Sequence, residues 1–198
     1  MCIRDRYNST SALSLNNGTV QDLAGNNVSL TLPTIGEPGS LATNKALVID
    51  GVYATVDSVT ATTANGYYKA GDTLDVTVHF DENVNVTGFP QLVLETGSND
   101  ATVFYSSGSG SSILSFQYIA EEGHLNTDLE YVSALSLSLN NGLIRDVAGN
   151  DATLTLADPG DASSLSANKA LVVDAISPSV ISVSSSESNG LYNIGDTL

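Results

Sequence analysis

Between Leu74 and Phe80 apolar and polar residues alternate without a fault (Leu-Asp-Val-Thr-Val-His-Phe). A period of two belongs to a strand with one buried face and one wet face. The same reading predicts strands over Ala54–Val59, Gln91–Glu95, Ala101–Tyr105, Ile113–Ile119, Leu129–Leu139, Leu143–Asp146, Ala152–Leu156 and Ala170–Asp174. Clusters of Gly, Asn, Asp and Ser punctuate them. Ser106-Ser107-Gly108-Ser109-Gly110-Ser111 reads as a flexible hairpin tip, and Asn141-Gly142 as a type I′ hairpin signal. No segment keeps a helical period over ten residues. Many short strands with frequent turns predict an all-β fold, a β-sandwich of two antiparallel sheets. A closed barrel fits less well, because successive units join through almost no linker. Ala46-Leu47-Val48-Ile49-Asp50 runs straight into Gly51-Val52, and Asp174-Ala175-Ile176-Ser177-Pro178 repeats that join. Such joins suit sandwiches threaded pole to pole into a semi-rigid rod.

The pattern also repeats as a whole. Tyr7 to Leu74 returns as Tyr131 to Leu198 without a gap, at an offset of 124 residues, with about half of the paired positions identical. Asn16-Asn17-Gly18 recurs at Asn140-Asn141-Gly142, Asp22 at Asp146, and Asn44 to Val48 at Asn168 to Val172. A period this long is a domain rather than a solenoid or propeller unit of roughly 20–50 residues. The chain therefore reads as a window cut from a tandem array. Residues 7–50 are the C-terminal part of one module, 51–174 a complete module, and 175–198 the N-terminal part of a third. Neither outer piece is expected to bury a two-sheet core alone, so both should expose unpaired strand edges.

Residues 1–6 fall outside the repeat. Met1-Cys2-Ile3-Arg4-Asp5-Arg6 resembles the translation of a sequencing-library adapter and is excluded from fold reasoning on that ground, the rival reading being a genuine basic N-terminus. It holds two of the six basic residues and the single cysteine. A formal charge of −16 argues against nucleic acid and anionic membrane as partners, and fits a solvated surface or a cation binder. Without further cysteines there is no disulfide framework. No apolar stretch approaches the ~18 residues of a membrane span, so no membrane insertion is expected in this segment.

Several motifs together resemble the bacterial immunoglobulin-like repeats of giant surface and secreted proteins. They are Asn65-Gly66-Tyr67-Tyr68-Lys69-Ala70-Gly71-Asp72-Thr73-Leu74, Val76 to Val84, Asp146-Val147-Ala148-Gly149-Asn150 and the closing Leu171-Val172-Val173-Asp174. The resemblance covers nearly all of Tyr7 to Leu198. It implies an immunoglobulin-like β-sandwich, tandem arrays, an extracellular or cell-surface location, and a part in adhesion or in spacing a terminal binding domain. The family's early proline is present as Pro178 but replaced by Ala54 in the complete module.

Candidate chemistry is sparse. His79 lies on the polar face of a strand and His124 in the loop Glu121-Glu122-Gly123-His124. Ser109 sits in a Gly-Ser tip, the wrong support for a nucleophile that must be held against an oriented base. Glu121 and Glu122 are neighbours on a turn and point apart, whereas glycoside chemistry needs carboxyls facing across a cleft. Neither a phosphate-cradling Gly loop nor a Cys/His zinc spacing occurs. Four Asn-x-Ser/Thr triplets (Asn8, Asn17, Asn27, Asn85) are of the number chance gives in this composition.

Calcium is the sharper idea, because hard cations want carboxylate and carbonyl oxygens gathered in one place. Asp81 and Glu82, just after the second strand, Asp50 in the linker and Asp22 from the previous module are expected to converge at the junction, with Asn83 and carbonyls completing a shell. Asp146 and Asp174 would form the matching half-site at the other junction. Affinity should be near the ~10⁻⁴–10⁻³ M of extracellular modules. The competing explanation is turn formation, since Asp and Asn before Gly bond their own backbone. No dense Asp-x-Asp-x-Asp-Gly loop occurs.

The sequence thus predicts a non-enzymatic, extracellular stalk whose partners are neighbouring modules of the same polypeptide. The alternatives are a module that binds carbohydrate, a host cell or another surface, with Tyr67, Tyr68 and Tyr105 as candidates, and a spacer attached to a secreted hydrolase.

Overall fold

The computed structural model describes residues 3–4 and 6–197 and is all-β apart from two single helical turns. In chain order the elements are β1 (Ile3–Arg4), α1 (Leu41–Asn44), β2 (Val48–Ile49), β3 (Val56–Ala61), β4 (Gly66–Tyr68) and β5 (Thr73–Thr87). Then come β6 (Gln91–Glu95), β7 (Ala101–Ser107), β8 (Ser111–Ile119), β9 (Leu125–Asn126), β10 (Glu130–Tyr131) and β11 (Leu137–Ser138). β12 (Leu143–Asp146), α2 (Leu165–Asn168) and β13 (Leu171–Asp174) close the series.

β5 organises the body. Thr73–His79 and, past an irregularity, Val84 pair antiparallel with β8 on one edge, while β3 and then β12 share the other. β7 changes neighbours midway: its first four residues pair with β6, and Tyr105 and Ser107 with β8. β10 and β11 both lie on β6. A separate three-stranded sheet holds β13 between β4, which runs parallel to it, and β9.

The alternation read from the sequence is what fills the interior. Leu74, Val76, Val78, Phe80 and Val84 of β5 turn inward to meet Leu114, Phe116 and Tyr118 of β8, Leu92 and Leu94 of β6, and Leu171 and Val173 of β13. Each such side chain contributes roughly 1.5–3 kcal/mol by leaving water. Phe116 also receives Tyr105 edge-on, with ring centroids 6.3 Å apart. Among the described residues every buried side-chain polar atom has a hydrogen-bond partner, as a unique core requires.

Several sequence expectations need correction. The strand predicted over Leu129–Leu139 is two short pieces, because Ser133 and Ser136 close a turn between them. Ala152–Leu156 forms only an isolated bridge, Thr153 with Thr55, and the Asp151–Arg145 bridge lies just before it. β5 runs on through Asp81, Glu82 and Asn83 rather than ending before them. The positive-φ turn sits one residue early: Asn140 and Asn141 are its central residues, and Gly142 N–H closes it on Leu139 O at 2.7 Å. Gly142 is needed instead for close approach, since a Cβ there would lie 2.5 Å from Thr87 O. The tip between β7 and β8 is tied down: Ser109 N–H donates to the Tyr105 hydroxyl, Ser109 Oγ accepts from Val86 N–H, and Gly110 N–H donates to Val84 O.

Local structure recurs at the 124-residue spacing. Asn16 and Asn17 repeat the positive φ of Asn140 and Asn141, α1 repeats α2, and the Gln21–Asn27 bridge repeats Arg145–Asp151. At these points residues 7–50 match 131–174, yet Leu13, Leu15, Val20, Leu47 and Ile49 stay exposed. Among the described residues no helix is long and apolar enough to cross a membrane.

Candidate metal centre

Beside the far half of β5 the carboxylates of Asp50, Glu82 and Asp146 meet, each offering an oxygen within 4.8 Å of the others. Three different elements bring them there. Alternation along β5 carries Glu82 to the same side as Phe80 and Val84. β12 runs antiparallel to the far half of β5, with Asp146 opposite Val84. Asp50 arrives with the incoming chain, which Asn150 Nδ2 fixes by donating to Asp50 O at 3.1 Å and Val52 O at 3.3 Å.

Asp146 is the most committed of the three. Its Oδ1 accepts from Gly149 N–H and Asn150 N–H, and its Oδ2 from Asn150 Nδ2 at 2.7 Å. Burial raises its carboxyl, but these bonds outweigh that and hold it below the usual range. Glu82 moves the other way: burial, then the charges of Asp50, Asp146 and Asp81, push it up. A cation among the three would reverse that repulsion. The donors are all oxygens, which suits a hard ion such as calcium rather than zinc. Calcium needs 6–8 oxygens, so carbonyls or water would have to supply the rest.

The sequence brought forward six acids for this role, and the structure gathers a different subset. Asp146 joins Asp50 and Glu82 instead of forming a half-site with Asp174, because β12 returns along the half of β5 beside which the chain enters. Asp22, the repeat equivalent of Asp146, takes the same turn: its Oδ1 accepts from Ala24 N–H and Asn26 N–H, and its Oδ2 from Asn26 Nδ2. The Asn26 side chain is the main cause of its lowered carboxyl. Asp81 accepts from Thr55 N–H at 2.8 Å and Thr55 Oγ1 at 2.9 Å, and the former chiefly holds it below the usual range. Asp174 closes β13 at the other end of the body, with its Oδ1 accepting from Ile176 N–H.

Two contributors escaped sequence reading. Asn150 is the clamp on the incoming chain. Glu130, buried beneath α2, accepts from Leu165 N–H, Ser166 N–H and Ser166 Oγ and so ties β10 to the closing segment. Burial raises its carboxyl, and bonds from Ser164 and Ser166 more than offset this, leaving it lowered.

Of the proposed tyrosines only Tyr67 stands fully on the surface; Tyr105 packs on Phe116. His79 Nε2 pairs with Thr77 Oγ1, and His124 Nδ1 accepts from Glu121 N–H beside the Tyr118 hydroxyl. A groove of about 640 Å³ opens where β7 parts from β8, lined by Asp100, Phe104, Gln117, Glu121, Glu122 and His124 among others. No protein-family model matches this chain, and neither curated proteins nor solved structures include a significant match.

Proposed function

We propose that the chain is a run of tandem immunoglobulin-like sandwich modules serving as a non-enzymatic extracellular spacer in a bacterial surface adhesin. One observation carries this reading. Asp50 and Asp174 occupy the same position in consecutive copies, yet they lie at opposite ends of the body. Asp50 lies beside Glu82, whereas Asp174 shares a surface recess with Lys69 and Ala70, just ahead of Thr73. Thr73 and Glu82 are separated by roughly 30 Å at ~3.3 Å per residue. Copies joined in this way extend instead of folding back. The acidic surface, at −16, keeps neighbouring stalks apart and soluble. Calcium at Asp50, Glu82 and Asp146 would stiffen the place where one copy hands over to the next.

Small-angle scattering on this chain and on one lengthened by a 124-residue repeat tests the proposal. The maximum dimension should grow by roughly 30 Å, the separation of the Asp50 and Asp174 joins. Unchanged length would end the spacer reading. A second reading, a surface- or carbohydrate-binding module, is favoured by the groove with exposed Phe104 beside Gln117 and Asp100. Chemical-shift changes at Phe104 and Gln117 on adding oligosaccharides would support it, and silence across a glycan panel would remove it.

A further inference from the structure

We infer that residues 7–50 form a docking surface for a second copy of the core made by residues 51–130, closing it as residues 131–174 close the copy present here. The inference rests on the tandem-module reading, and its grounds are positional. The buried apolar residues of the closing segment are Tyr131, Leu137, Ile144, Leu156, Leu165, Leu171 and Val173. Their equivalents are Tyr7, Leu13, Val20, Leu32, Leu41, Leu47 and Ile49, every one apolar or identical. Leu137, Ile144 and Leu171 are 4 %, 2 % and 0 % exposed, whereas Leu13, Val20 and Leu47 are 50 %, 53 % and 46 % exposed.

Most side chains that make polar contacts across that interface recur in 7–50. Asn150 donates to Asp50 O and Val52 O, Asn168 to Val59 O, and Lys169 Nζ to Thr63 O. Asn26, Asn44 and Lys45 stand at the equivalent positions. Within the segments the correspondence continues: the Tyr131 hydroxyl donates to Ala157 O and the Tyr7 hydroxyl to Pro33 O. Gly160 and Gly36 N–H each donate to the serine just before the following helical turn, Ser164 and Ser40. Ser166, whose hydroxyl reaches Glu130, becomes Ala42, so one bond is lost.

The occupant cannot be the core of the same molecule. That core is filled by residues 131–174, and a single peptide bond joins Asp50 to Gly51 at the wrong end of the body. A segment seated like 131–174 would have to finish where Asp174 does, roughly 30 Å away. Exchange between two identical chains gains nothing either, since each brings two closing segments and one core. The complement is therefore a further 51–130-type segment.

The test is a chimera of the full chain in which residues 131–174 are replaced by residues 7–50, a segment of equal length. It should unfold cooperatively within roughly 10 °C of the parent. Amides of the transplanted Leu13, Val20 and Leu47 should exchange roughly 100-fold more slowly than in their original place. Adding Val20→Asp to the transplanted copy should abolish both. A chimera with no cooperative transition, or with the transplanted amides unprotected, overturns the inference. This readout concerns core closure only, so it can fail while scattering still supports a spacer, and the reverse.

Discussion

Asp146 and Asn150 are joined by three hydrogen bonds, one from Asp146 N–H to Asn150 O and two from Asn150 to the Asp146 carboxylate. Through that pairing a turn at the end of β12 holds the chain on both sides of the Asp50–Gly51 junction. Asn150→Ala should therefore loosen the junction as well as the turn. We expect the melting temperature to fall by roughly 5 °C, and Val52 and Tyr53 amides to exchange faster than those of β5. Unaltered exchange at Val52 would show that Asn150 does not hold the join.

Glu82 gives a prediction with a definite sign. Its carboxyl is raised in the folded chain, so the neutral form is favoured there and its stabilising contribution exists below the ordinary glutamate range. That contribution is lost as pH rises through the folded value. At neutral pH without divalent cations, Glu82→Gln should thus raise the melting temperature by on the order of 1–3 °C. Millimolar calcium should stabilise the parent chain and leave the variant unmoved. Equal responses to calcium would remove Glu82 as a ligand.

Glu130 behaves oppositely. Its lowered carboxyl adds stability that is present above about 4.5, the ordinary value, and lost as pH falls through the folded value. Glu130→Gln should lower the melting temperature at pH 7 by roughly 5 °C or more, with the gap narrowing in acid. Parallel melting curves across pH would show that the charge is immaterial.

Gly142→Ala forces a methyl against Thr87 O at 2.5 Å and Leu139 O at 2.9 Å. A cost of about 1–3 kcal/mol follows for the body that holds this turn, measurable by urea unfolding. Gly18→Ala, the same change one repeat earlier, meets only Leu15 O at 3.0 Å and should leave that unfolding curve in place.

The readability of the fold follows the range of the forces involved. β5, β6 and β12 were legible because alternation is local and one face must be buried. β4 was not, because Gly66–Tyr68 is too short to carry a period and owes its pairing to β13, about a hundred residues away. Leu129–Leu139 was misread as one strand because its apolar residues fit the period while its serines prefer a turn. The acidic site was half legible. Continuing the alternation past Phe80 puts Glu82 on the core side, but Asp146 could be assigned to its end of the body only once β12 was known to lie against the far half of β5.

β4 and β13 run in the same direction, aligned over three residue pairs from Gly66–Leu171 to Tyr68–Val173. If the molecule is stretched between Asp50 and Asp174, these two strands must slide along each other, so their bonds are loaded together rather than peeled one at a time. The seam between β4 and β13 is then the one that resists tension.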